Sequence, residues 1–160
     1  GGDLALYETL STNPAVRLCP TSVAVDPGEI CKNDNMVSIN TIIEMDITGQ
    51  VCSESIGPKQ FSGTGGAFCF AYGALHSKGG KVILACQAST KKGVSKISSQ
   101  LKPGAVVSIP RNYVDYVVTE YGIAHLRGRS VKERVLQLIS IAHPDVREEL
   151  QKEADRLMIW

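Results

Sequence analysis

Gly79-Gly80-Lys81-Val82-Ile83-Leu84-Ala85-Cys86 is a turn followed by a compact apolar run. Val82 to Ala85 carry no polar residue, and a run of that kind suits a strand covered on both faces. Ala105 to Ile109 and Tyr113 to Thr119 repeat the pattern, broken only by Ser108 and Asp115. The expectation is one mixed sheet with Val82 to Ala85, Val106 to Ile109 and Tyr116 to Thr119 as its central strands. Upstream, Ile43, Met45 and Ile47 alternate with Glu44, Asp46 and Thr48. That period of two predicts a half-buried strand with Glu44 and Asp46 on its polar face. Gly49-Gln50 then turns the chain into Val51-Cys52, a hairpin.

The ends of the chain are read the same way. Leu4, Tyr7 and Leu10 give a weak helical spacing that Pro14 terminates. Val16-Arg17-Leu18 reads as a short strand, and Thr21 to Asn35, with Pro27-Gly28, as an irregular stretch. Ser130-x-x-Glu133 is a capping box that opens a helix with Val135, Leu138, Ile139 and Ala142 on one face. Pro144-Asp145 opens a second helix, with Val146, Leu150 and Leu157 as its apolar stripe. No repeat or linker divides the sequence, so residues 1–160 are treated as a single unit. Strands mixed with helices predict an α/β fold, a three-layer α/β/α arrangement with a mixed sheet.

Composition narrows the function classes. The 160 residues are 43% hydrophobic and 21% charged, with a net charge of +1. A nucleic-acid binder should carry a basic excess, and none is present. No apolar run is long enough to span a bilayer. The Gly1-Gly2-Asp3 start lacks both Met and the layout of a signal peptide, and it reads as a cut or processed chain. Cys19, Cys31, Cys52, Cys69 and Cys86 form no C-x-x-C pair, and His76, His125 and His143 are scattered. No metal site is expected, and five free thiols in a reducing cytoplasm are.

Three stretches carry candidate chemistry. Gly63-Thr64-Gly65-Gly66-Ala67-Phe68 precedes an apolar segment of helical length. Its glycines let backbone N–H groups approach an anion or a developing oxyanion, or they simply make a tight turn. Phe68 breaks the dinucleotide fingerprint, and no Gly-Lys-Ser/Thr follows. Ser89-Thr90-Lys91-Lys92-Gly93 leaves the strand that ends at Cys86, where open α/β sheets collect ligands. Glu120, in Val118-Thr119-Glu120-Tyr121-Gly122, is either a buried acid or a strand-end carboxylate bonded to water or backbone. His125 and His143 read as structural, and no serine sits in a G-x-S-x-G elbow.

Five segments in register resemble a known family. They are Asn35 to Asn40 (NMVSIN), Glu44 to Val51 (EMDITGQV), Gly65-Gly66, Val118 to Ala124 (VTEYGIA) and Ile141 to Pro144 (IAHP). Together they resemble the C-terminal region of the acetyl-CoA hydrolase/transferase family, class I CoA-transferases. Within it they are most similar to the 4-hydroxybutyrate and butyryl-CoA:acetate transferases. The resemblance runs from about Leu4 to Leu157. It implies a cytoplasmic homodimeric enzyme with an N-terminal domain besides this region. Acyl-CoA and a short-chain carboxylate are its substrates, and no permanently bound cofactor is implied.

The implied chemistry is covalent, through an acyl-glutamyl anhydride and then a glutamyl-CoA thioester. By position, Gly66 matches the oxyanion-hole glycine and Glu120 a glutamate near the thioester. Ile43, Ser62, Gly65 and one of Lys91 and Lys92 match positions near CoA. The nucleophilic glutamate of the family has no counterpart here, since Glu8 and Glu54 stand in unmatched contexts. The chain is therefore expected to be a fragment that lacks its nucleophile. Cys69 stands where relatives carry aspartate, which removes a carboxylate beside the active site. An acyl-CoA hydrolase and a non-catalytic CoA-binding or scaffold module are the alternatives.

Overall fold

A computed structural model describes residues 2–157. Asp3 caps helix α1 (Leu4–Thr12) by accepting the Leu6 N–H at 2.9 Å. Two short helices follow, α2 (Thr21–Ala24) and α3 (Pro27–Ile30). The first β stretch holds β1 (Val37–Thr41), β2 (Glu44–Asp46), β3 (Val51–Cys52), β4 (Ser55–Ile56) and β5 (Lys59–Gln60). Helix α4 (Ala67–His76) leads into β6 (Lys81–Ala85), and β7 (Ile97–Ser98) follows. A hairpin of β8 (Tyr116–Thr119) and β9 (Gly122–His125) precedes helices α5 (Val131–Ile141) and α6 (Pro144–Arg156).

The main sheet has the order β1-β6-β8-β9. β1, β6 and β8 are parallel and β9 is antiparallel, so the sheet is mixed. Its register puts Ser38, Val82, Leu84, Val117 and Ala124 on one buried face. Against that face pack Ala71 and Ala74 of α4, Val135 and Leu138 of α5, and Met45 and Ile97 of the smaller sheet β3-β2-β7. The opposite face carries Val37, Ile39, Ile83, Val118 and Ile123, of which Ile39 and Ile123 are each 67% exposed. The α/β class with a mixed sheet is as expected. Coverage of the apolar strands on both faces is not met, because the described residues cover one face only.

Four local expectations are corrected. Val106 to Ile109 is not a strand of the main sheet. Val106 N donates to Ser55 Oγ, while Ser108 N and Ile109 N both reach the Val51 carbonyl. Its backbone donors are used singly, between Pro103-Gly104 and Pro110, so no ladder forms. Val16 to Leu18 is not a strand either, for it lies exposed without a partner strand among the described residues. Thr21 to Asn35 is not wholly irregular. Asp26 accepts the Glu29 N–H at 3.1 Å and Pro27 fills the first turn, which starts α3.

Last, Glu44 and Asp46 face inward, not to solvent. Asp46 closes the β2–β3 hairpin. Its Oδ1 accepts Thr48 N (2.9 Å), Thr48 Oγ1 (2.7 Å) and Gln50 N (3.0 Å), and its Oδ2 accepts Gln50 Nε2 (2.6 Å). Asp46→Ala strands two backbone donors and is expected to cost about 2 kcal/mol. The check is urea unfolding, with a lowered midpoint at unchanged slope.

Candidate functional site

Topology brings the candidate residues to one edge. β1, β6 and β8 are parallel, so their C-terminal ends coincide. Ile43 lies just beyond β1, the Ser89 to Gly93 loop leaves β6, and Glu120 follows β8. Helix α4 turns through Gly79-Gly80 directly into β6 and so runs opposite to it. The start of α4, with Gly65-Gly66, therefore lies toward that same edge.

Around this edge the residues divide between two clefts. The first, of about 500 Å³, has Ile43, Ile56 and Val94 as apolar walls. Lys91, Lys92, Lys96 and Lys102 supply its positive charge, and Glu44 also lines it. Both Lys91 and Lys92 reach it, so neither is singled out. The second, of about 290 Å³, is lined by Glu54, Thr64, Gly65, Phe68, Cys69 and Ser108, with Val106 and Val107. The short β4 strand separates them, with Ile56 in one and the preceding Glu54 in the other. A larger concavity, of about 760 Å³, also has Lys102 in its lining and holds none of the candidates.

Gly65 takes φ +59°, a left-handed conformation that suits glycine, and its Cβ direction is open. Gly66 is the N-cap of α4 at φ −100° and ψ 4°. Its N–H makes no hydrogen bond among the described residues, so it is a free donor at a helix start. Gly66 itself lines neither cleft but adjoins Gly65, which does. Ser62 lines neither; its N–H is held by the Glu54 carbonyl at 3.1 Å and its hydroxyl by the Gly63 carbonyl.

Glu120 is exposed, not a buried acid, and its Oε2 accepts the Ala88 N–H at 2.8 Å. It pins the base of the loop that carries Lys91 and Lys92. Beside it, burial pushes the Cys86 thiol up to about 11, with Lys96 opposing the rise and Glu120 adding to it. At neutral pH Cys86 is thus a thiol and not a thiolate nucleophile. All five cysteines are free. His125 Nε2 lies 3.1 Å from Asp115 with its ring stacked on Tyr116, and His143 caps α6. No group of three metal-binding side chains exists among the described residues.

Several lining residues were not singled out from sequence. Glu54 stands in an unremarkable Ser-Glu-Ser, yet its carboxylate accepts Ser108 Oγ at 3.0 Å across 54 residues of chain. Lys96 and Lys102 carry no local signal, because only the β2–β7 pairing brings that segment to Ile43 and Glu44.

The chain is similar to known proteins in sequence and fold. Residues 2–154 match the acetyl-CoA hydrolase/transferase C-terminal domain. The chain is 51% identical over 153 residues to 4-hydroxybutyrate coenzyme A transferase of Clostridium kluyveri, covering 95% of this chain and 36% of that protein. It is 46% identical over 157 residues to succinyl-CoA:cyclohexane-1-carboxylate CoA transferase of Geobacter metallireducens, covering 98% and 36%. The crystal structure of RipA from Yersinia pestis superposes with a TM-score of 0.90 at 39% identity, covering 99% of this chain and 36% of that one. The chain thus spans about 36% of the length of these relatives.

Proposed function

The chain belongs to the acetyl-CoA hydrolase/transferase family, whose C-terminal domain it matches over residues 2–154, and we propose that the full-length protein moves CoA between short-chain carboxylates. The observation that carries the reading is the placement, at one sheet edge, of a free Gly66 N–H and a four-lysine cleft. Lysine ammonium groups suit the phosphates of CoA. The glycine donor suits the oxyanion that forms when a thioester carbonyl is attacked.

In this reading a glutamate carboxylate from another segment attacks the acyl-CoA carbonyl. The Gly66 N–H steadies the oxyanion, and CoA leaves as a thiolate. The thiolate attacks the glutamyl carbonyl of the resulting anhydride and releases the donor carboxylate. The glutamyl-CoA thioester then meets the acceptor, and the same steps run backwards. Ile43 and one of Lys91 and Lys92 contact CoA, and Ser62 and Gly65 lie near it. Glu120 works at the thioester end and, by holding Ala88 N, positions the lysine loop. Residues 1–160 form the C-terminal unit, and the open apolar sheet face around Ile39 and Ile123 suits contact with the N-terminal domain. A cytoplasmic homodimer completes the proposal, and the five free thiols suit that compartment.

The experiment is a panel of acyl-CoA donors and carboxylate acceptors on the full-length protein, read as new acyl-CoA. Free CoA accumulating without an acceptor would instead make it a hydrolase. Lys91→Ala and Lys92→Ala sharpen the test. The lysine that meets CoA should raise KM for acyl-CoA by roughly 3- to 10-fold with kcat nearly kept, the loss of one charge-assisted contact. An unchanged KM in both variants would remove the lysine cleft from the CoA site.

A further inference from the structure

The cleft that holds Gly65 has apolar walls to which the reaction above gives no part. Phe68, Val106 and Val107 line it and are 38%, 42% and 41% exposed. Three large apolar side chains open to solvent in one concavity mark a surface that a ligand covers. The Phe68 ring is steadied by an edge-on contact with Tyr113, their centroids 5.2 Å apart at 84°. The valines are held through the backbone, where Val106 N donates to Ser55 Oγ at 3.0 Å and Ser108 N to the Val51 carbonyl at 2.8 Å. The wall beside Gly65 is therefore preformed.

Its charge says what that ligand can be. Glu54 lines the cleft, and its carboxylate is bonded to two neutral groups, Ser108 Oγ at 3.0 Å and Gln60 Nε2 at 3.4 Å. Among the described residues no lysine, arginine or histidine lines this cleft. A thioester seated on the Gly66 N–H has two unlike arms, a phosphate-bearing CoA and an acyl tail. The lysines lie in the other cleft, beyond β4, and the phosphates belong with them. The acyl tail is left for the apolar side. A tail that ends in a second carboxylate would meet the Glu54 charge there with no cation to offset it. Resting on the CoA-transferase reading above, we propose that this cleft binds the acyl tail and selects uncharged ones, so that the substrates are monocarboxylates and not dicarboxylates. Phe68 is then the specificity-determining side chain, because its fixed ring is the largest apolar surface in the lining.

The test is kcat/KM of the full-length protein for acetyl-CoA, butyryl-CoA and succinyl-CoA, the last two equal in chain length and different in terminal charge. Wild-type protein should favour butyryl-CoA over succinyl-CoA on the order of 10²-fold or more, the penalty for an uncompensated charge. Phe68→Ala should lower the butyryl-to-acetyl ratio roughly 10-fold, because only the longer tail reaches the ring. Val106→Lys puts a cation in the cleft and leaves the Val106 N–H bond in place. It should raise the succinyl-to-butyryl ratio on the order of 10-fold or more. Succinyl-CoA used as well as butyryl-CoA by the wild type would overturn the proposal. So would an unchanged ratio in either variant, since the tail would then lie elsewhere. Ratios within one sample do not depend on how much of it is folded, and the wild-type comparison decides even if a variant fails to fold. No turnover of any acyl-CoA by the wild type is a different result, and it would bring down the CoA-transferase reading itself.

Discussion

Gly66→Val in the full-length enzyme is expected to lower kcat on the order of 10²-fold or more. The backbone at Gly66, φ −100° and ψ 4°, is open to any residue, so conformational strain is not the cause. Space is the cause. A Cβ there would sit 3.2 Å from Val25 Cγ1 and 3.3 Å from the Phe70 ring, before either valine methyl is added. The branch has to push the first turn of α4 away from α2, and the Gly66 N–H moves with it. Displacing or losing one oxyanion donor costs roughly 10²- to 10³-fold in rate, and a shift of about 1 Å suffices for the lower figure. KM for acyl-CoA should change far less, because the lysine cleft lies beyond β4. Steady-state kinetics with a thermal melt on the same sample separates this from unfolding. A folded variant with near-wild-type kcat would end the oxyanion assignment.

Gly65 makes the contrast. Its φ of +59° penalises any side chain, but an added Cβ meets nothing within 4 Å. Adjacent glycines thus serve different ends, one for its angle and one for its lack of bulk, and the letters Gly65-Gly66 alone do not say which. Other parts of the fold were more legible. Val82 to Ala85 and Tyr116 to Thr119 declared themselves because strands in a parallel sheet are apolar throughout. The Ser130–Glu133 box fixed the start of α5, since both halves of the motif are local in sequence.

Val106 to Ile109 misled for the same reason that the others succeeded. Its composition is that of a strand, but Ser55, Ser53 and Glu54 intercept its hydrogen bonds from 50 or more residues away. The alternation over 43–48 misled because a carboxylate can be buried when it is fully bonded, as Asp46 is. In the candidate site, Gly65, Lys91 and Lys92 carried local signals. Glu44, Glu54 and Lys102 carried none, for their roles arise only when β2, β4 and β7 are assembled.

These 160 residues by themselves are expected to show no CoA transfer, and in the full-length enzyme the covalent adduct should map outside them. In the proposed reaction the nucleophile is a carboxylate with a free oxygen facing the thioester. Glu54 is the one carboxylate on the cleft that holds Gly65, and it is 6% exposed. Its Oε2 accepts Ser108 Oγ at 3.0 Å and its Oε1 faces Gln60 Nε2 at 3.4 Å. Its carbonyl also takes the N–H groups of Phe61 and Ser62, so it pins the 53–62 hairpin to the 106–108 segment. Freeing it would break that junction before any bond could form. Glu44 sits in the other cleft beside Lys102, and Glu120 is held by Ala88. Cys69, which lines the same cleft as Glu54, offers no carboxylate at all. Incubating the full-length protein with acyl-CoA and no acceptor should trap the glutamyl-CoA thioester, which adds the mass of CoA less water to one peptide. That peptide should lie outside residues 1–160. An adduct on Glu54, Glu44 or Glu120, or steady turnover by the 160-residue chain, would show that this domain carries its own nucleophile.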